Sequence, residues 1–301
     1  MNGMKCRLSR ESGLCFSVRE PAVRKKRFRV ICMRTENQTI TDKPCGERVE
    51  CPPGDTYRIQ AYLDRIRYTG PRGRTPETLA ALQYAHVTSV PYENLDIIRG
   101  IPLSMKVGDL YEKVVTRGRG GYCFELNGAF GWLLRALGFE VTDYAGRFLA
   151  DAGAEIPQRR HRVLVANCAG ERYICDVGVG IVAPRWPLRL VRGEVQEQRS
   201  GEAYRVEWDD FYGHVIHQRF RGIWQPFYSF TEEPQADVDF IMPSFYCERH
   251  PDSLFNKEYM VSLKTPDGRM TLDGNVFKVY AGDVCGEEIL REDEVEYLKS
   301  L

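Results

Sequence analysis

The chain has no apolar run long enough to cross a membrane as a helix, and charge interrupts every longer one. Helical membrane proteins are therefore excluded, and no membrane partner is expected. Its ten cysteines form no Cys-x-x-Cys unit, and no histidine stands at a zinc-ligand spacing from them. That argues against a structural metal, and none is expected. Net charge is also lacking, since 42 Lys and Arg balance 42 Asp and Glu. Whole-protein electrostatics thus points to neither nucleic acid nor an anionic membrane. No internal repeat or low-complexity tract is present, which excludes solenoids. The first 54 residues lack the long apolar core and small-residue cleavage signal of a secretory peptide. A cytoplasmic location is expected, where a reducing environment suits a free thiol and a chain of 301 residues needs no disulfide framework.

What is present is an ordinary globular composition, 43% hydrophobic and 28% charged, with length for two or three compact units. The zero charge hides an asymmetry. Residues 1–54 hold 12 Lys and Arg against 6 Asp and Glu. Arg24-Lys25-Lys26-Arg27-Phe28-Arg29 is the densest basic patch. It reads as part of a solvated extension, with contact to nucleic acid or an anionic surface, or a targeting presequence, as the alternatives. Met33 offers an alternative start. Pro52-Pro53-Gly54 punctuates the boundary with the body.

Apolar spacing predicts a helix over Asp55–Arg67 and a second from Pro76 toward His86, N-capped by Thr75. A third follows Gly121, through Cys123, Leu126, Phe130, Leu133 and Leu134, and ends at the C-cap Gly138. The texture then changes to short β-branched runs: Val141–Phe148, His161–Cys168, Arg172–Val177, Gly201–Glu207, Trp224–Phe230, Glu258–Lys264 and Asn275–Tyr280. Such a series predicts a barrel or sandwich after the helical unit. Arg291–Leu301 reads as a terminal helix.

The most informative run is Arg119-Gly120-Gly121-Tyr122-Cys123-Phe124-Glu125-Leu126-Asn127. Gly120 and Gly121 permit a tight backbone approach before Cys123. A helix starting there puts the sulfur near unpaired N–H groups and the positive end of the helix dipole, which favours a thiolate. His161 opens one strand-like run, and Asp176 closes the next. A turn over Asn167–Glu171 would make the two runs a hairpin, so that Asp176 could orient the imidazole. A cysteine, a histidine and an aspartate in that order can form a nucleophilic triad, though His161 alone could equally be structural. Asp176-Val177-Gly178-Val179-Gly180 lacks the context of a dinucleotide site. Gly178 and Gly180 could give a long thiol cofactor room to approach, or form a simple turn. Glu93 could orient Arg119 and so fix the glycine turn, while Glu125 suits a packing or hydrogen-bonding role.

These residues resemble the arylamine N-acetyltransferase family. The likeness runs from Tyr57-Arg58-Ile59 through Pro91-Tyr92-Glu93-Asn94-Leu95-Asp96, the Cys123 motif, His161-Arg162-Val163-Leu164-Val165 and Asp176-Val177-Gly178-Val179-Gly180. Pro187-Leu188-Arg189-Leu190 resembles the bacterial branch. The resemblance implies an α+β multidomain fold with a papain-like catalytic core. A helical domain over 55–137 carries the cysteine, and a β-barrel over 138–241 carries His161 and Asp176. A linker and α/β lid occupy 242–301, leaving 1–54 as a flexible basic extension. It further implies that Cys123 takes an acetyl group from acetyl-CoA by a ping-pong route and passes it to an arylamine or arylhydrazine. His161 moves the protons, and Asp176 orients it. Tyr92 and Val179 stand where the family commonly has phenylalanine, so both are substrate-pocket candidates, and the C-terminus stops short of the usual family ending. The weighed alternatives are an amide synthase using another acyl donor, a cysteine hydrolase and a noncatalytic scaffold.

Overall fold

The computed structural model describes residues 54–150, 155–198, 201–220, 222–281, 284–293 and 295. The basic extension and most of the expected terminal helix lie outside them. Six α-helices are formed among the described residues: α1 Gly54–Arg65, α2 Pro76–Val87, α3 Leu95–Ile98, α4 Val107–Tyr111, α5 Cys123–Ala136 and α6 Ile241–Arg249. Thr75 caps α2 as expected, its hydroxyl accepting from the Thr78 N–H at 3.2 Å. Gly138, at φ +88°, donates its N–H to the Arg135 carbonyl and ends α5.

Helix α5 is the axis of the core. From Cys123 to Leu134 every residue except Trp132 is buried, the signature of a helix enclosed on nearly all sides. It packs against α1, α4 and two strands of the larger sheet. A single π-helical turn, Glu112–Thr116, follows α4 and carries Lys113 into the buried side of the domain.

The strands are β1 Tyr92–Glu93, β2 Glu140–Phe148, β3 His161–Cys168, β4 Glu171–Cys175, β5 Leu188–Arg189, β6 Gln196–Glu197, β7 Ala203–Asp209, β8 Gly213–Phe220, β9 Ile223–Pro234, β10 Met260–Thr265, β11 Gly268–Asp273, β12 Val276–Ala281 and β13 Val284–Ile289. The larger sheet is antiparallel in the order β5-β4-β3-β2-β9-β8-β7-β6. Its two edges meet. The Gln196 side chain accepts from the Arg189 N–H at 2.7 Å and donates to the Arg189 carbonyl at 2.9 Å. One amide thus replaces a ladder rung and nearly closes the barrel, which satisfies edges that would otherwise be exposed. The smaller sheet, β1-β10-β11-β12-β13, takes its edge strand from the helical part of the chain, through Tyr92↔Ser262 and Glu93↔Val261. The hairpin expected around Asn167–Glu171 is present as β3 and β4. Asp176 stands one residue beyond β4 rather than on it.

His86 is fully buried in α2, its Nε2 3.0 Å from the Tyr62 hydroxyl and its ring against Phe130. Burial, with Arg65 nearby, pushes its pKa from 6.5 down to about 3. The unfolded chain therefore takes up this proton below about 6.5, while the folded chain resists it until about 3. This contribution to stability is intact above 6.5 and declines toward 3 by about 1.4 kcal/mol per pH unit. In urea titrations from pH 7 to 5, His86→Gln is expected to lose less stability than the parent, by about 2 kcal/mol. Equal losses in both proteins would show that the folded chain takes up this proton as readily as the unfolded one.

Candidate active site

Cys123 is the first residue of α5, and the chain before it is pinned on both sides. Glu93 N–H donates to the Gly121 carbonyl at 2.9 Å, and Gly121 N–H to the Pro91 carbonyl at 3.3 Å. A Cβ at Gly120 would stand 2.1 Å from the Pro91 oxygen, so no larger residue fits that crossing. Glu125 reaches back to the Tyr122 N–H at 3.2 Å, which gives one half of a capping box. This is the hydrogen-bonding role expected for it.

Beneath this helix start lies a buried charge cluster. Arg119 Nη2 donates to Glu93 Oε1 at 2.8 Å and to Asp96 Oδ1 at 3.1 Å. Lys113 Nζ bridges Asp96 Oδ2 and Glu125 Oε1, each at 2.7 Å. The expected Glu93–Arg119 pair is therefore present, inside a larger network that includes Asp96 and Lys113. Three carboxylates face two cations. Burial, set against Lys113 and reinforced by Glu93, pushes the Glu125 carboxyl up to about 7. Burial also disfavours charge on Asp96, but Lys113 and Arg119 outweigh it and hold that carboxyl low.

The structure brings Cys123, His161 and Asp176 into one buried region, all with no exposure. The Cys123 Sγ–H points to the main-chain oxygen of Arg160, 3.8 Å away and one residue before His161. His161 Nε2 lies 2.7 Å from Asp176 Oδ2. Burial opposes the charge on Asp176. His161, the Asn127 amide and the Gly178 N–H outweigh it and keep the carboxyl below its usual range. An ionised carboxylate can only accept, so Nε2 carries the proton. Nδ1 has no hydrogen-bond partner. Phe148 lies 4.7 Å from the imidazole and Tyr228 meets it edge-on at 5.2 Å, fixing the ring plane.

Asn127 joins the parts. Its Nδ2 donates to Asp176 Oδ1 at 2.9 Å and to the Arg162 carbonyl at 2.6 Å, while its Oδ1 accepts from the Val177 N–H at 2.9 Å. Sequence reasoning did not assign this residue. Its place four after Cys123, on the same helix face, was the available signal. Gly178 lies against α5, where a Cβ would stand 2.7 Å from both Cys123 Cα and Asn127 Nδ2. Gly180, at φ +58°, lines a cleft of about 220 Å³ with Tyr92, Phe148, Val179, Ser262 and Thr271 among others. Both pocket candidates, Tyr92 and Val179, are thus on its wall, whereas Gly178 belongs to the helix contact.

The thiolate expected from the helix start is opposed by the surroundings. Burial, then Cys247 and Asp176, push the Cys123 thiol well up, against a weaker pull from Arg160 and the Phe124 N–H. These surroundings favour the neutral thiol over the thiolate.

The family profile described as N-acetyltransferase matches residues 75–301. The arylamine N-acetyltransferase of Mycolicibacterium smegmatis is 39% identical over 229 residues, spanning 74% of this chain and 82% of its own. The chain belongs to the arylamine N-acetyltransferase family. It is of the bacterial type and an acyltransferase enzyme. The solved arylamine N-acetyltransferase of Salmonella typhimurium matches it with a TM-score of 0.76 at 30% identity, over 80% of this chain and 88% of that one. That of Mycobacterium marinum in complex with CoA matches with a TM-score of 0.73 at 34% identity, over 79% and 89%. The α+β arrangement expected from the resemblance, helices with a near-closed barrel, is the one observed. Among the described residues of this N-acetyltransferase, no helix is long and apolar enough to cross a membrane, and no group of three or more His, Cys, Asp or Glu could hold a metal.

Replacing Asn127 tests the junction. Asn127→Ala removes three buried hydrogen bonds and is expected to cost about 2–4 kcal/mol in urea unfolding. Asn127→Asp, of nearly the same shape, is expected to cost more, because it sets an acceptor against the Asp176 carboxylate and the Arg162 carbonyl. A milder effect of Asp than of Ala would contradict this account.

Proposed function

We propose that this enzyme transfers acetyl from acetyl-CoA to the nitrogen of an arylamine or arylhydrazine through an acetyl-Cys123 intermediate. The reading rests chiefly on one arrangement. The Cys123 sulfur lies on the main chain beside a buried imidazole whose Nε2 is committed to Asp176 and whose Nδ1 is unpartnered. The CoA bound in the Mycobacterium marinum relative supports the choice of donor.

In the first half-reaction His161 Nδ1 takes the proton from Sγ as the sulfur attacks the acetyl carbonyl. The tetrahedral oxyanion is met by N–H groups at the start of α5. As the carbon–sulfur bond to CoA breaks, the imidazolium returns the proton to the departing CoA thiolate. In the second, the amine nitrogen attacks the thioester, His161 accepts its proton, and the Cys123 thiolate leaves and is reprotonated. One difficult transfer becomes two easier ones. Asp176 stays ionised and steadies the imidazolium. An aromatic amine suits the second step because its nitrogen is largely unprotonated near neutrality. The cleft lined by Tyr92, Phe148, Val179 and Gly180 is the site for the reacting ends. Glu93, Arg119, Gly120 and Gly121 hold the helix start. The domain limits at 54/55, 137/138 and 241/242 follow the same reading, as does a cytoplasmic location.

Mass spectrometry after mixing with labelled acetyl-CoA in the absence of amine is expected to find one acetyl group, on Cys123, with CoA released. Cys123→Ala should carry none. His161→Ala should acylate about 10²–10⁴-fold more slowly, the range for loss of a general base. A fully active protein that never carries acetyl on Cys123 would rule out the two-step route.

A further inference from the structure

The charge cluster beneath the helix start sets three carboxylates against two cations, and the partners are shared unevenly. Glu93 Oε1 accepts two N–H groups of Arg119, at 2.8 and 3.2 Å, and its Oε2 accepts from the Leu95 N–H at 2.7 Å. Asp96 meets both cations, Arg119 at 3.1 Å and Lys113 at 2.7 Å. Among the described residues Glu125 meets only Lys113, at 2.7 Å, and shares that ammonium with Asp96. The excess negative charge therefore falls on Glu125, which is buried, so this carboxylate takes up a proton most readily. Its pKa of about 7 has the same origin: burial raises it, Lys113 opposes and Glu93 adds to the rise. The other titratable groups close by are turned away. The Tyr122 phenol lies 2.7 Å from the Ser244 hydroxyl, and Cys123, two residues earlier on the helix, does not face Glu125.

Both oxygens of this carboxylate are in use. Oε1 accepts from Lys113, and Oε2 accepts from the N–H of Tyr122, the residue before Cys123, at 3.2 Å. Gly121 makes room for it, since a Cβ there would stand 2.9 Å from Oε2. A proton must sit on one oxygen or the other. On Oε1 it turns an O–H toward an ammonium, and on Oε2 toward an N–H. Either way a donor faces a donor, and the charge that attracted both is gone. One proton thus loosens the tie between Lys113 and the backbone that enters Cys123.

We propose that Glu125 is a positioning residue for acyl transfer: only its ionised carboxylate ties the start of α5 to Lys113, so proton uptake there slows acylation of Cys123. The inference rests on the two-step reading above and adds a proton-sensitive element that touches neither substrate nor the reacting atoms.

The test measures the rate at which labelled acetyl-CoA acylates Cys123 between about pH 8.5 and 5.5, on either side of the Glu125 transition. It compares the parent with Glu125→Gln, which keeps the shape and removes the charge. Proton uptake by any other group, His161 included, enters both rates alike, so their ratio is read. The parent is expected to be faster by about ten-fold at the alkaline end, the scale of a small misplacement, with the ratio approaching one at the acid end. A ratio that does not change with pH would give Glu125 a structural role alone, and equal rates throughout would give it none. Either overturns the proposal. Lys113→Met leaves Glu125 without its cation and should carry the slow, low-pH behaviour to higher pH. It decides the matter if Glu125→Gln does not fold, and a profile that stays in place counts against the proposal. Acetyl-Cys123 in the parent at the alkaline end is read in the same mass spectra, so failure of the two-step route is distinct from absence of the pH effect.

Discussion

A negative charge with no exposure to water is the constraint on which this site is built. Isolated burial of a carboxylate costs several kcal/mol even after relaxation, and only good partners recover it. Asp176 has three: the His161 imidazole, the Asn127 amide and the Gly178 N–H. Each comes from a different element: β3, α5 and the segment after β4. Satisfying one carboxylate therefore docks the barrel edge onto the cysteine helix. The same contacts turn the Nε2 side of His161 toward Asp176, so satisfying the buried carboxylate also orients the imidazole.

The second buried charge cluster has a different task. Glu93, Asp96, Lys113, Arg119 and Glu125 lie below the start of α5 and away from the imidazole. They hold the backbone that presents Cys123: Glu93 through Arg119 and the Leu95 N–H, Glu125 through Lys113 and the Tyr122 N–H. Two close backbone crossings, at Gly120 and Gly178, leave the helix start little freedom. The arrangement resembles a vice, with polar jaws on one side and the Asp176 loop on the other.

Much of this was legible before any coordinates. The Cys123, His161 and Asp176 segments carry local signals, namely glycines before a helical run and histidine at the head of a β-branched run. Thr75 and Gly138 act locally too, and both cap where expected. Strands β8, β11 and β13 were not anticipated, and neither was α6. In β8 the adjacent Val215 and Ile216 and the polar run His217-Gln218-Arg219 break the alternation, and pairing in the sheet supplies what the pattern does not. Asn127 and Lys113 escaped for another reason. Their roles depend on partners 49 and 12 residues away in the chain, and no local pattern announces such a pairing. The barrel seam at Gln196 is of the same kind.

The relation between helix dipole and burial is where sequence reasoning and structure part, and magnitudes decide it. A charge at a helix terminus gains at most about 2 kcal/mol, roughly 1.5 pKa units. Complete burial acts the other way, Cys247 and the Asp176 charge add to it, and the net direction is up. Burial therefore prevails at Cys123. Under the two-step route proposed above, a neutral thiol shifts the burden of activation from the helix to His161. That histidine is held by Asp176, which Asn127 in turn orients, and by the Phe148 and Tyr228 rings on its faces.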